Sequence, residues 1–231
     1  MRLAVIGNSH IAALKAGWTG MAADHPDRQL VFFGARGDSL DALVAQDGRL
    51  VPANAELARS IAVTSGGLRC IDPGEFDAFL LHGMNAQPNF RREGFYSQAV
   101  MDQAVQDLCE QTLSHRTLDK ICRLTDRPIY VGHNPLIAAE RTDEDQDLAP
   151  YHSGVDDLNA AFYRRFSARL VPQPEITIAN GRNTAMAFST GSRALSVGGE
   201  MDDIEHPATE LSHMNATFGA VWMACFLNIC G

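Results

Sequence analysis

The chain has 231 residues, 45% of them hydrophobic and 20% charged, with 28 acidic against 19 basic side chains for a formal net charge of -9. Such a composition excludes a disordered or fibrous chain, and the acidic balance excludes a general nucleic-acid or anionic-membrane binder, which needs clustered Lys and Arg where this chain offers only Arg91-Arg92 and Arg164-Arg165. No segment approaches the ~20 apolar residues of a membrane span.

Short apolar runs alternate with longer helical patterns, as in a parallel sheet covered by helices on both faces. Leu3-Ala4-Val5-Ile6 predicts the first strand, Gly7-Asn8-Ser9 a tight turn, and Ile11 to Ala16 a helix that Ser9 is placed to cap. This apolar start is too short for a signal h-region of about 7–15 residues. Leu30 to Phe33 predicts a second strand ending at Gly34, followed by a short helix at Leu40 to Val44. Ser60 to Thr64 predicts a short strand ending at Ser65-Gly66-Gly67. Ala78 to Leu81 and Ile129 to Val131 predict two more strands, running into His82-Gly83-Met84-Asn85 and Gly132-His133-Asn134-Pro135. Between those two, Ser97 to Leu124 carries apolar residues near a 3.6 period, with a break near Ser114.

Ala138 to Asp157, with its charge run Asp143 to Asp147, predicts a solvated loop. Val155 to Leu170 predicts a helix with Leu158, Phe162, Phe166 and Leu170 four apart. Ile176 to Ala179 predicts the last strand, and Asn215 to Asn228 an apolar closing helix. No repeat, low-complexity tract or linker interrupts the chain, so residues 1–231 read as one domain. Five cysteines form an odd set without a CxxC pair and read as reduced, mostly buried thiols, which with the missing export signal predicts a cytoplasmic protein.

Open parallel sheets bind ligands beyond the carboxyl ends of their strands. There the sequence collects Asn8, Ser9 and His10, then Gly34 to Ser39, then His82, Gly83 and Asn85, then His133 and Asn134. A serine at a strand-to-helix turn can attack an acyl carbon while its own N–H steadies the oxyanion; the plain alternative is a helix cap. Glu210-Leu211-Ser212-His213 stands just before the closing helix, and a carboxylate three residues before a histidine can hold that imidazole toward a serine.

The order of these blocks resembles the SGNH hydrolases, also called GDSL esterases. The resemblance rests on Gly7-Asn8-Ser9, a glycine after the second strand, Gly83-Met84-Asn85, and the acid-x-x-His of Glu210 to His213. It implies a three-layer, flavodoxin-like α/β fold with a central, mainly parallel sheet of about five strands. It also implies Ser9 as nucleophile, His213 as base, and Glu210 in the place of the usual Asp. The oxyanion donors it implies are Ser9, Asn85 and Gly37, with Gly34 the weaker glycine. Asn8 stands where the family has Asp before the serine, and Ala86 where it continues with Asp after the Gly-x-Asn block.

Two other matches compete. Gly37-Asp38-Ser39-Leu40 spells the nickname itself, but choosing Ser39 leaves the first strand and helix unexplained. Asp203-Ile204-Glu205-His206 is a literal Asp-x-x-His, but no helix follows it directly. His10, His82, His133, Asn134 and Arg91 are expected to line or support the substrate pocket, Arg91 from the lip formed by Pro88 to Tyr96. No HxH, HExxH, CxxC, GxGxxG or P-loop pattern occurs, so neither metal nor cofactor is expected. The expected substrate is a small-molecule or carbohydrate ester, such as an O-acetyl ester, cleaved through an acyl-enzyme on Ser9. An acyltransferase using the same site and an inactive binding module on the same fold are the alternatives. The oligomeric state is not legible.

Overall fold

In the computed structural model, residues 1–90, 96–142 and 146–231 are described. Five strands form one parallel sheet: β1 (Arg2–Gly7), β2 (Gln29–Gly34), β5 (Ala78–His82), β6 (Ile129–Gly132) and β8 (Ala168–Val171), in the order β2-β1-β5-β6-β8. A short antiparallel hairpin, β3 (Leu43–Gln46) with β4 (Arg49–Pro52), and a small sheet of β7 (Ala138–Ala139), β10 (Asn183–Ala185) and β9 (Ile178–Ala179) lie apart from it. Each central strand is buried on both faces, which is why these strands read as unbroken apolar runs. Ala4 and Ile6 point into one core with Phe79 and Leu81, while Leu3 and Val5 point into the other with Leu80.

The first core is covered by α2 (Ala55–Ser65), α3 (Gln98–Glu110), α4 (Leu113–Cys122) and α5 (Ala149–Ala161). The second is covered by α1 (Ile11–Met21) and α6 (Ala216–Ile229). The result is the expected three-layer, flavodoxin-like α/β arrangement.

Registers place Gly34, Gly7, His82, Gly132 and Val171 in one row across the sheet, so the loops that follow these strands leave from a common edge. Between β1 and β5 the strand order reverses, and at such a switch point the flanking loops diverge and open a crevice. Ser9 stands at that point. The second device is the contact of α1 with α6. A Cβ on Gly219 would lie 1.8 Å from the Ala13 carbonyl oxygen, and one on Gly17 would lie 2.1 Å from the Ala220 nitrogen. Because the helices touch within their first two turns, the residues just before them, Ser9 and His213, are carried to the same spot.

Several expectations need correcting. Ser60 to Thr64 is the end of α2, not a strand: Asn54 caps this helix by accepting from the Leu57 N–H, and Leu57 and Ile61 meet the core four residues apart. The predicted helix 155–170 is instead the end of α5, a 3-10 turn at Tyr163–Phe166, and the edge strand β8. Leu158, Phe162 and Leu170 do all reach one core, but from a helix, a bend and a strand, and Ser167 at φ 53° turns the chain. Ile176 to Ala179 gives only the two-residue β9, outside the main sheet. The helix at Leu40 to Val44 is a 3-10 turn, Ser39–Ala42, entering β3. The loop 138–157 holds β7 and the first turns of α5. Helix 97–124 divides at Gln111–Thr112, where Thr112 caps α4 by accepting from the His115 N–H at 3.0 Å. Among the cysteines only Cys109 is buried and Cys225 is exposed, so the thiols are not mostly buried. No helix of the described residues is long and apolar enough to cross a membrane.

Candidate active site

The β1–α1 turn is set by close packing. A Cβ at Gly7 would meet the His82 carbonyl oxygen and Ile11 Cγ2, both at 2.3 Å, so only glycine lets β1 end here against β5. Buried Asn8 accepts from the His10 N–H through its side chain, 3.3 Å, and the N–H groups of Ile11 and Ala12 donate to the carbonyls of Asn8 and Ser9. His10, not Ser9, is the helix N-cap, and its side chain makes no capping bond. Ser9 Oγ is thereby released from capping. It instead lies 2.9 Å from His213 Nε2, although the two residues are 204 positions apart.

On the other side of the pair, His213 Nδ1 is 3.5 Å from Glu210 Oε1 and 3.3 Å from Ser212 Oγ. Ser212 donates both its N–H (2.7 Å) and its hydroxyl (2.5 Å) to that same Glu210 oxygen. With its O–H hydrogen bond donated to the carboxylate, Ser212 Oγ is left as an acceptor for His213 Nδ1–H. Glu210 therefore acts on His213 in two ways, weakly in person and more closely through Ser212. Those two Ser212 donors, followed by His213, hold the Glu210 carboxyl down to about 2, so it is ionised at neutral pH.

The His213 ring is stacked between two others. His10 lies 4.9 Å from the His213 ring centre and His206 lies 4.4 Å from it, at interplanar angles of 25° and 28°. His206 is fixed in turn by Ser192 Oγ, 3.2 Å from its Nδ1. Desolvation first, and the neighbouring His213 second, lower the pKa of both outer rings, His10 to about 3, which keeps their charge away from His213 at neutral pH. His206 thus stacks on His213, with its ring hydrogen-bonded to Ser192.

Asn85 ends a left-handed run, Gly83, Met84 and Asn85, at φ 77°, 56° and 62°. Non-glycine residues hold that conformation only when surroundings over-determine it, and here they do. Gly83 N–H donates to the Gly132 carbonyl, the Met84 carbonyl accepts from Ser114 N–H, and Asn85 N–H donates to Asn134 Oδ1 at 3.1 Å. At Gly83 a Cβ would also lie 2.6 Å from Asn8 Oδ1, so the two loops touch. Asn85 Nδ2 donates to Asp38 Oδ1 at 3.1 Å, beside Gly37 at φ 56°. Among the described residues no acceptor takes the backbone N–H of Ser9 or of Gly37.

The expected pocket histidines fare differently. His82 is fully buried under Gly132 and against Trp222, 4.9 Å between ring centres, and burial drives its pKa well below the usual value. His133 is buried too, lowered to about 4 by desolvation, with its two ring nitrogens on the Asn134 carbonyl and the Tyr151 hydroxyl (2.7 Å for the latter). His82 shares a strand face with Ala78 and Leu80, which turns it into the second core. Asn134 supports the Asn85 backbone through its side-chain oxygen. Arg91 lies outside the described residues. Ser39 begins the 3-10 turn, its N–H donating to the Arg36 carbonyl, and no histidine bonds to it among the described residues. No group of three or more His, Cys, Asp or Glu among the described residues is arranged to hold a metal ion.

Sequence reasoning missed Ser212, Ser192 and Ser189. Ser189 Oγ donates to the His213 carbonyl (3.0 Å) and sits 3.3 Å from that of Glu210, pinning the loop from below. The only available signal for Ser212 was its place between the acid and the base.

The sequence matches no protein-family model and no curated protein. Among solved structures, the chain is similar to the lipopolysaccharide acetyltransferase periplasmic domain of Salmonella ser. Paratyphi A, at 10% identity and TM-score 0.47, over 100% of this chain and 84% of that one. A possible lipase from Chitinophaga pinensis is similar at 8% identity and TM-score 0.42, over 99% of this chain and 96% of that one. A gut microbial diltiazem-metabolizing enzyme follows at 10% identity and TM-score 0.38, over 76% of this chain and 37% of its own. At these scores the likenesses carry no argument about activity, which has to come from the chain's own residues.

Proposed function

We propose that this protein is an SGNH-type serine esterase that cleaves a small acyl ester through an acyl-enzyme on Ser9. The observation that carries the reading is the 2.9 Å hydrogen bond between Ser9 Oγ and His213 Nε2. A nucleophile and base within hydrogen-bond reach, with the base oriented by a third group, is the arrangement acyl transfer requires.

Ser9 Oγ gives its proton to His213 Nε2 and bonds to the ester carbonyl carbon. The oxyanion is met by the free N–H groups of Ser9 and Gly37 and by the second N–H of the Asn85 amide, whose first is fixed on Asp38. As the tetrahedral centre collapses, the bond to the alcohol oxygen breaks and His213 returns the proton to that oxygen. Water then attacks the acyl-enzyme, His213 takes its proton, and the acid leaves as Ser9 recovers its hydrogen. Throughout, the imidazolium is stabilised by Glu210, directly and through Ser212.

Release of acetate from simple acetate esters tests the reading. The protein should turn them over, and Ser9→Ala and His213→Ala should each abolish that turnover while leaving the fold intact by circular dichroism. Acyl transfer to an added alcohol in preference to water would make it a transferase using the same acyl-enzyme. Turnover that survives both substitutions would refute the assignment.

A further inference from the structure

An open cleft of about 500 Å³ starts at Ser9 and His213 and runs along one wall of the C-terminal loops. Apart from the catalytic pair, His206 and the charged Arg36 and Glu205, its wall is Ala194, Leu195, Met201, Ile204 and Pro207. Met201 and Ile204 are 57% and 44% exposed, although both are large apolar side chains on a loop that is firmly held. That loop is wound around Asp202, whose carboxylate accepts from the N–H groups of Val197, Gly198 and Gly199 and from Arg36. Rigid, exposed apolar groups beside a nucleophile mark a binding surface more than a folding defect.

Of the two charged groups at the cleft, Arg36 is bonded into the loop, while Glu205 is largely exposed with one distant cation. Arg36 also donates twice to the Leu195 carbonyl, at 2.7 and 3.1 Å, and Glu205 lies 3.9 Å from Arg193. With five apolar residues against one open carboxylate, the wall is a poor match for the several hydroxyls of a sugar.

Which half of an ester would lie there follows from where the base stands. In the proposed mechanism the leaving oxygen must come within hydrogen-bond reach of His213 Nε2, and His213 and its stacked neighbour His206 are themselves part of this wall. The oxyanion donors Gly37 and Asn85 are not.

We infer that the cleft binds an apolar alcohol moiety, so that the substrates are small acyl esters of alkyl or aryl alcohols rather than O-acetylated sugars. The inference rests on the proposed esterase activity for its orientation, but the binding of the alcohol does not require turnover.

The test has a binding arm and a kinetic arm. 1-Naphthol, as a free product alcohol, is titrated into the protein and followed by its fluorescence. It should bind, Ile204→Glu and Met201→Glu should each weaken it ~10-fold or more, and Val100→Glu, on exposed α3, should not. Across acetates of straight-chain alcohols from methyl to hexyl, kcat/KM should rise about fourfold per methylene until the cleft is filled, with little gain when the acyl chain is lengthened instead. Absent binding, or binding indifferent to both cleft substitutions, overturns the inference even if esters are hydrolysed. Gain with acyl length but not alcohol length overturns the orientation. Naphthol binding that fails with the cleft variants in a protein without ester turnover would uphold the cleft and refute the esterase.

Discussion

The two halves of the proposed catalytic pair are held by opposite means. Ser9 sits on a turn fixed by backbone packing, where Gly7 touches β5 and Gly83 touches Asn8 with no room for a methyl group. His213 sits in a long segment between β10 and α6 with almost no regular structure, held by side chains that bond the backbone: Ser189, Asp202, Asn215 and Glu210. Asn215 alone caps α6 through Phe218 N–H and donates to the carbonyls of Ala187 and Thr190. The first region is positioned chiefly by the close packing of its glycines, so substitution of those glycines should fail through stability. The second should fail through activity, one hydrogen bond at a time.

Substitutions can break that contrast. The largest effect is expected from Ser9→Ala, a loss of about 10⁴-fold or more in kcat/KM with an unchanged melting temperature. Asn85→Ala should cost ~10²–10³ in kcat, measured on the same ester. Gly7→Ala should lower stability by about 3 kcal/mol through overpacking, read as a shift in the urea midpoint. Ser212→Ala should lower kcat ~10-fold, the scale of one lost hydrogen bond, barely move the melting temperature, and let the Glu210 carboxyl rise from about 2, visible in an NMR titration. If Ser212→Ala destabilised the fold as much as Gly7→Ala, the contrast would be wrong.

Acid should act on the packed half first. His10, His82 and His133 all have folded pKa values below the unfolded 6.5, because burial favours their neutral forms. The unfolded chain therefore takes up protons first as pH falls, so their stabilisation is complete above about pH 6.5 and is lost as pH drops toward 4 and then 3. Each ring contributes up to about 1.4 kcal/mol per pH unit in that window. Glu210, with its lowered pKa, contributes above about pH 4.5 and loses its contribution toward pH 2. Denaturant unfolding as a function of pH would show the histidine loss beginning two units above the carboxylate loss.

Those parts of the molecule governed by burial were the legible ones. β1, β2, β5 and β6 are apolar runs because both their faces are covered, and the strand-turn-helix at Ser9 follows from them. β8 was hidden because Ala168 to Val171 continues the four-residue spacing of Phe162 and Phe166, and only the turn at Ser167 separates helix from strand. α2 was hidden because its core contacts are few, Leu57 and Ile61, amid polar neighbours. At the site, Ser9 and His213 were legible from their places before two helices. The Ser212 bridge and the His206 stack were not, since both depend on how an irregular loop folds upon itself. His82 misled because a residue at a strand's end can still point into a core.

The most direct measurement is to incubate the protein with a fluorophosphonate and map the adduct by peptide mass spectrometry. Because the probe reports an activated serine without knowledge of the substrate, it isolates the Ser9–His213 pair. The account predicts an adduct on Ser9 that disappears in His213→Ala. An adduct on Ser39, or none on any serine, would contradict it.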